Sequence, residues 1–98
     1  MYKVVWRYEV KEEYLSQFRE MYGSSGNWVE LFRKSPHYIK TELFRESERK
    51  NIYVTIDFWQ SKSAYGAFYS AHQSEVERLD QFGDGYINQE EKIAESEP

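Results

Sequence analysis

The chain has 98 residues, no cysteine and a formal charge of −4, with 31% of its residues charged and 18% aromatic. A chain this short supports one domain with a thin core, and its acidic balance disfavours nucleic acid, whose phosphates draw affinity from Lys and Arg. The absence of cysteine removes disulfides, thiolate chemistry and Cys-based metal sites.

Residues 2–10 alternate, with Val4, Trp6, Tyr8 and Val10 on one side and Val5, Arg7 and Glu9 on the other, which predicts a strand. From about residue 11 the apolar positions Tyr14, Leu15, Phe18, Met21 and Tyr22 recur at helical spacing. Gly23-Ser24-Ser25-Gly26 breaks this helix. Asn27 is placed to cap a short second one bearing Trp28, Leu31 and Phe32, which Ser35-Pro36 stops. A second strand is predicted from about His37 to Glu46, and Ser47-Glu48-Arg49-Lys50-Asn51 is a hairpin loop into a third.

That third strand, Ile52 to Trp59, carries the most information. Ile52, Val54, Ile56 and Phe58 form an almost wholly apolar face, while Tyr53, Thr55, Asp57 and Trp59 form a mixed one. The domain's own helices can cover the first face, which leaves the second for another copy of the chain. The mixed face, with a carboxylate among aromatics, is where a small-molecule pocket is expected. A cavity of at least about 300 Å³ beside Asp57 or His72 would favour a ligand-handling role.

Ser61 stands as the N-cap of a further helix with Tyr65, Phe68, Tyr69 and His72 in register. Ser74 can start a continuation bearing Val76, Leu79 and Phe82, which Gly83 and Gly85 interrupt. In the tail, Asn88-x-x-Glu91 has the form of a capping box, and the residues around Ile93 predict a short edge strand before a flexible acidic end from about residue 95. The element order predicts a single α+β domain over 1–98, a ferredoxin-like split βαβ subunit with its first and third strands central. One sheet face stays bare in that arrangement, so a homodimer closed through the open face is expected, forming a dimeric α/β barrel. No targeting or membrane-spanning pattern is visible, and the cytoplasm is the expected location.

The run Tyr53-Val54-Thr55-Ile56-Asp57-Phe58-Trp59-Gln60-Ser61, followed by Ala64-Tyr65 and Phe68, resembles the third strand and helix start of the antibiotic-biosynthesis monooxygenase-like family. Tyr22-Gly23, Gly26-Asn27-Trp28, Thr41-Glu42-Leu43-Phe44 and Leu79-Asp80 extend the likeness. The resemblance implies dimeric α/β barrels with one pocket per subunit between sheet and helices. It also implies either oxidation of aromatic substrates by oxygen without metal or flavin, or haem degradation. The haem-degrading branch uses an Asn on the first strand, and a Trp and a later His on the second long helix. Arg7 and Tyr8, Phe68 and Arg78 stand at those places here, and His72 is out of register. These mismatches set haem degradation aside; many members have no assigned activity, and the resemblance implies, as the leading expectation, a cofactor-independent monooxygenase-like enzyme acting on a small aromatic or phenolic compound. The alternative is a non-catalytic dimeric protein that binds a small molecule or serves as a stress-related accessory.

Asp57 is the sharpest candidate, because a carboxylate in a buried strand needs a partner, and Arg7 on the neighbouring strand is the expected one. Such a pair can anchor a ligand or simply tie two strands together. His72 is a candidate base, or a residue that ends a helix where its charge suits the dipole. Trp28, Trp59 and Tyr65 are candidate pocket walls, or core. Neither histidine has a second ligand at metal-binding spacing, so no metal and no cofactor are expected.

Overall fold

The computed structural model of the chain describes residues 1–97. Its order is β1 (Tyr2–Val10), a single 3₁₀ turn (Glu12–Tyr14), α1 (Leu15–Tyr22), α2 (Asn27–Phe32), β2 (Tyr38–Arg45), β3 (Ile52–Trp59), α3 (Lys62–Ala71), α4 (Gln73–Asp84) and β4 (Ile87–Ser96). The four strands form one antiparallel sheet in the order β2-β3-β1-β4, and the helices pack on one side of it. This is the predicted ferredoxin-like α+β arrangement. Among the described residues no helix is long and apolar enough to cross a membrane.

Local chemistry accounts for most boundaries. Ser61 Oγ accepts the backbone N–H of Ala64 at 3.0 Å, which starts α3 where the capping signal places it. Asn27 is instead the first helical residue of α2, and Gly26 precedes it without a side-chain cap. A Cβ at Gly26 would fall 2.3 Å from the Met21 carbonyl oxygen, so only glycine lets the chain turn this tightly off the end of α1. Gly83 does not interrupt α4. It lies within the helix, and a Cβ there would meet the Tyr22 hydroxyl oxygen at 2.1 Å.

The tail departs furthest from its local pattern. Asn88 and Glu91, read as a capping box, both lie in β4, which pairs along almost all of β1 and continues through Ser96. Only Ile87 of its ten residues is buried, so alternation could not reveal the strand. The backbone groups of β1 impose it, since an unpaired edge beside a central strand leaves donors and acceptors unmet. Glu95 is tied down as well, accepting a hydrogen bond from the Tyr2 hydroxyl at 3.0 Å. The last residue of the predicted flexible end, Pro98, lies outside the described residues.

The helices cover the mixed face of β3, which reverses the expected assignment. Tyr53, Thr55, Asp57 and Trp59 all point into the layer between sheet and helices, together with Tyr2, Val4, Tyr8 and Val10 of β1. Aromatic side chains fill that layer. Phe18 stacks on Tyr22 with ring centroids 4.4 Å apart, and Phe32 meets Trp28, Trp59 and Phe68 at 5.3–5.6 Å. β1 and β3 together put Tyr2, Trp6, Tyr8, Tyr53 and Trp59 on this face and only Phe58 on the other, so the helices cover the face with the greater aromatic area.

Tyr22 cannot swing aside, because it is buried against Phe18 and Tyr8. Gly83→Ala is therefore expected to lower unfolding free energy by about 1–3 kcal/mol, the usual cost of overpacking, although alanine favours a helix. Adding Tyr22→Phe removes the obstructing oxygen and should recover part of that loss, with both variants measured by urea denaturation.

Candidate functional site

Between the sheet and helices α1, α2, α3 and α4 lies a cavity of about 160 Å³. Trp6, Tyr8, Tyr22, Trp28, Phe32 and Tyr69 supply its rings, and Thr41, Thr55 and Asp57 line its floor on the sheet. Asp80 of α4 and Glu90 of β4 also line it, and both are exposed, which puts the opening at their end. The volume falls short of the about 300 Å³ common for drug-sized ligands, and a space near 150 Å³ accommodates a single benzene-sized ring.

Asp57 is 7% exposed, in the middle of the central strand. Thr41 on β2 lies opposite it in the hairpin register and donates its hydroxyl to Asp57 Oδ1 at 2.6 Å. With its proton committed there, Thr41 Oγ1 accepts from the Tyr38 hydroxyl, 2.7 Å away. A hydroxyl relay thus runs from Tyr38 through Thr41 to the carboxylate. Burial pushes the Asp57 carboxyl up to about 6, against the opposing effect of the Thr41 hydrogen bond. A carboxyl near 6 exchanges protons readily close to neutral pH. Tyr8 is buried with its hydroxyl 3.3 Å from Thr55 Oγ1, and burial raises the Tyr8 and Tyr69 hydroxyls as well, so both rings present neutral O–H groups.

The other expected site residues are dispersed. Arg7 lies on the opposite face of the sheet from Asp57: it pairs with Val54, whereas Asp57 pairs with Val4. The two-residue period of a strand makes this separation unavoidable. The Arg7 guanidinium is 4.0 Å from Glu46, so the expected Arg7–Asp57 pair does not form. His72 sits at the junction of α3 and α4, stacked on Phe68 and bonded through Nδ1 to Glu75 Oε1 at 2.8 Å, outside the cavity lining. It follows the last turn of α3 and directly precedes the first turn of α4. Trp28 lines the cavity, while Trp59 is fully buried beneath Phe32 and Phe68, and Tyr65 packs between Tyr2 and Tyr69. Trp59 and Tyr65 support the lining residues from behind. Trp28 Nε1 is buried with no hydrogen-bond partner among the described residues; the Tyr22 hydroxyl is near enough to feel it but outside bonding geometry.

Sequence reasoning missed Thr41, Tyr8, Thr55 and Tyr69 as site residues. A signal existed for Thr41, since the loop at 47–51 sets a register in which Arg45 opposes Tyr53 and Thr41 opposes Asp57. Asp80 and Glu90 carried none, as their approach depends on where α4 packs. Among the described residues no group of three or more His, Asp or Glu side chains is arranged to hold a metal ion.

A raised carboxyl pKa means that folding favours protonated Asp57, so its stabilising protonation is complete at low pH and is lost as pH rises from about 4 through about 6. Asp57→Asn keeps an acceptor for Thr41 without the charge. Its stability relative to the parent chain should rise across that interval, by at most about 3 kcal/mol, when thermal or urea unfolding is followed at pH 4 and pH 8.

The sequence profile of antibiotic biosynthesis monooxygenase matches residues 1–76. Among curated proteins no significant match is found. Among solved structures, SnoaB, a cofactor-independent oxygenase from Streptomyces nogalater, superposes with a TM-score of 0.77 at 17% identity over 99% of this chain and 91% of its own. An antibiotic biosynthesis monooxygenase superposes with a TM-score of 0.65 at 18% identity, covering 100% of both chains. A conserved protein from Methanosarcina mazei Go1 gives 0.70 at 13% identity over 97% of this chain and 89% of its own. Identities this low speak for the fold alone, but the profile spans most of the sequence. The chain belongs to the antibiotic biosynthesis monooxygenase family.

Proposed function

We propose that the chain is a cofactor-independent monooxygenase that oxidises a small phenolic compound in the cavity beside Asp57. The observation that carries this is a buried carboxylate with a pKa close to neutral, facing an aromatic-walled space and held by a hydroxyl relay. Family membership and the oxygenase activity named for SnoaB support the same chemistry. In this reading Asp57 takes the phenolic proton, and the electron-rich ring carbon ortho to the oxygen bonds to dioxygen. The proton returns to the distal oxygen to give a hydroperoxide. Loss of water from that carbon, with its ring hydrogen, leaves a quinone, so that one phenol and one dioxygen give one quinone and one water. The rings around the space exclude bulk water from the charged species, and Thr41 keeps the Asp57 carboxylate aimed.

The working unit in this proposal is a homodimer closed through the bare sheet face. Cross-strand rows on that face read Lys40-Phe58-Lys3, then Glu42-Ile56-Val5, then Phe44-Val54-Arg7-Glu91. An apolar centre is flanked by a basic end at Lys3 and Lys40 and by an end where Glu9, Glu46 and Glu91 outnumber Arg7. A two-fold axis lying in the interface plane and running across the strands would set unlike ends against each other. Phe44, 50% exposed, lies in the row beside Val54 and extends the apolar centre of this face.

Oxygen uptake with simple phenols and hydroquinones tests the chemistry. Asp57→Asn should lower the rate by at least about 100-fold, the usual share of a general base. Thr41→Val removes the bond that holds the carboxyl down, so the acid limb of its pH–rate profile should move to higher pH. Binding without oxygen uptake by the parent chain would favour the non-catalytic alternative. Ile56→Lys should convert a dimer into monomer in sedimentation velocity; a monomeric parent chain would remove the assembly from the proposal.

A further inference from the structure

The cavity has a charge pattern that phenol oxidation by itself does not require. Its deep end carries Asp57 and its opening carries Asp80 and Glu90, whereas no Lys, Arg or His is among the residues that line it. Neither Asp80 nor Glu90 forms an ion pair among the described residues. The basic group carried beside Trp6 on β4, Lys92, is engaged by Glu95. Partial burial raises both the Asp80 and the Glu90 carboxyls, and the negative charge of Asp84, with that of Glu77 beside Asp80, adds to it. The acidic opening therefore has no counter-charge of its own.

A second feature points independently to a ligand. Trp28, itself 9% exposed, lines the cavity with its indole N–H unpartnered, and six aromatic side chains surround a space sized for one ring. Aromatic faces attract cations, and carboxylates at the rim reinforce that attraction. An anion formed on a ring beside Asp57 would also find no positive side chain in the cavity to offset it, so the offset must come with the substrate. Resting on the monooxygenase reading of this cavity, we propose that its substrate is a single-ring phenol bearing an ammonium group. The hydroxyl is presented to Asp57 and the ammonium sits at the opening between Asp80 and Glu90. The amine stays partly hydrated there while the ring is buried, which avoids the desolvation of a fully enclosed charge.

The test compares three probes with the same ring and different termini: tyramine, neutral 4-ethylphenol and anionic 3-(4-hydroxyphenyl)propionate, titrated by isothermal calorimetry and by tryptophan fluorescence of the full chain. Tyramine should bind about tenfold tighter than 4-ethylphenol at low ionic strength, an advantage that shrinks with added salt because the rim is exposed, and the acid should bind more weakly than either. Glu90→Gln should bring the ratio of tyramine to 4-ethylphenol affinity most of the way to one, with circular dichroism and Tm checking that the variant is folded; Asp80→Asn provides a second, separate variant. Equal or tighter binding of the neutral or acidic probe, or an undiminished advantage in both variants, overturns the amine assignment while the phenol-oxidising reading stands. Failure of all three probes to bind overturns both.

Discussion

A carboxylate withheld from water on the central strand, with a hydroxyl for a partner instead of a cation, is the constraint around which the rest of the molecule is arranged. An unpaired buried charge is costly, and the usual remedy is an Arg or Lys. Here the remedy is a threonine on the neighbouring strand backed by a tyrosine, so the proton affinity of Asp57 rises instead of falling. The cost in stability and the raised proton affinity of the group arise from the same desolvation. The register shift between Tyr38 and Lys40 belongs to this arrangement, since it lies where β2 carries the Tyr38 hydroxyl toward Thr41.

The aromatic layer gives that carboxylate a fixed setting. Tyr22 is held between Phe18 and Tyr8 and abuts the backbone at Gly83, so α1, α4 and the sheet are locked around one ring. Phe32 plays a similar part for α2, touching Trp28, Tyr38, Trp59, Phe68 and Tyr69. Rings packed at these distances and tilts bring specific geometry as well as buried area. A site walled by such residues is rigid where a loop-built one would not be, and its small volume is a direct result of how many of them converge.

The sheet then divides labour between its faces. The helix-covered face of β3 holds the polar and aromatic residues, and the bare face holds Val54, Ile56 and Phe58 beside Val5, with lysines over the Phe58 ring at 4.9 and 5.6 Å. The two faces of a strand of eight residues thereby differ in kind: the buried carboxylate and the cavity lie on one side and a largely apolar surface on the other. Arg7 illustrates the separation. It neighbours the right strand and carries the right charge, yet one residue of register assigns it to the outer face.

Much of the architecture was legible in short-range patterns. Alternation over 2–10 and 52–59, the Ser61 cap, the glycine break after Tyr22 and the polar hairpin at 47–51 each depend on residues within one or two turns of each other, so the order of elements and the ferredoxin-like class follow from the amino-acid order alone. Asp57 stood out for the same reason, as a lone carboxylate within an apolar strand. Long-range contact decided the rest. Which face of β3 the helices would cover turned on the fit of rings drawn from six elements. The partner of Asp57 turned on cross-strand register, and the strand character of 87–96 on backbone groups offered by β1 between 77 and 93 residues earlier in the chain. Each of these is a free-energy comparison between segments far apart in sequence, and local periodicity holds no record of its outcome.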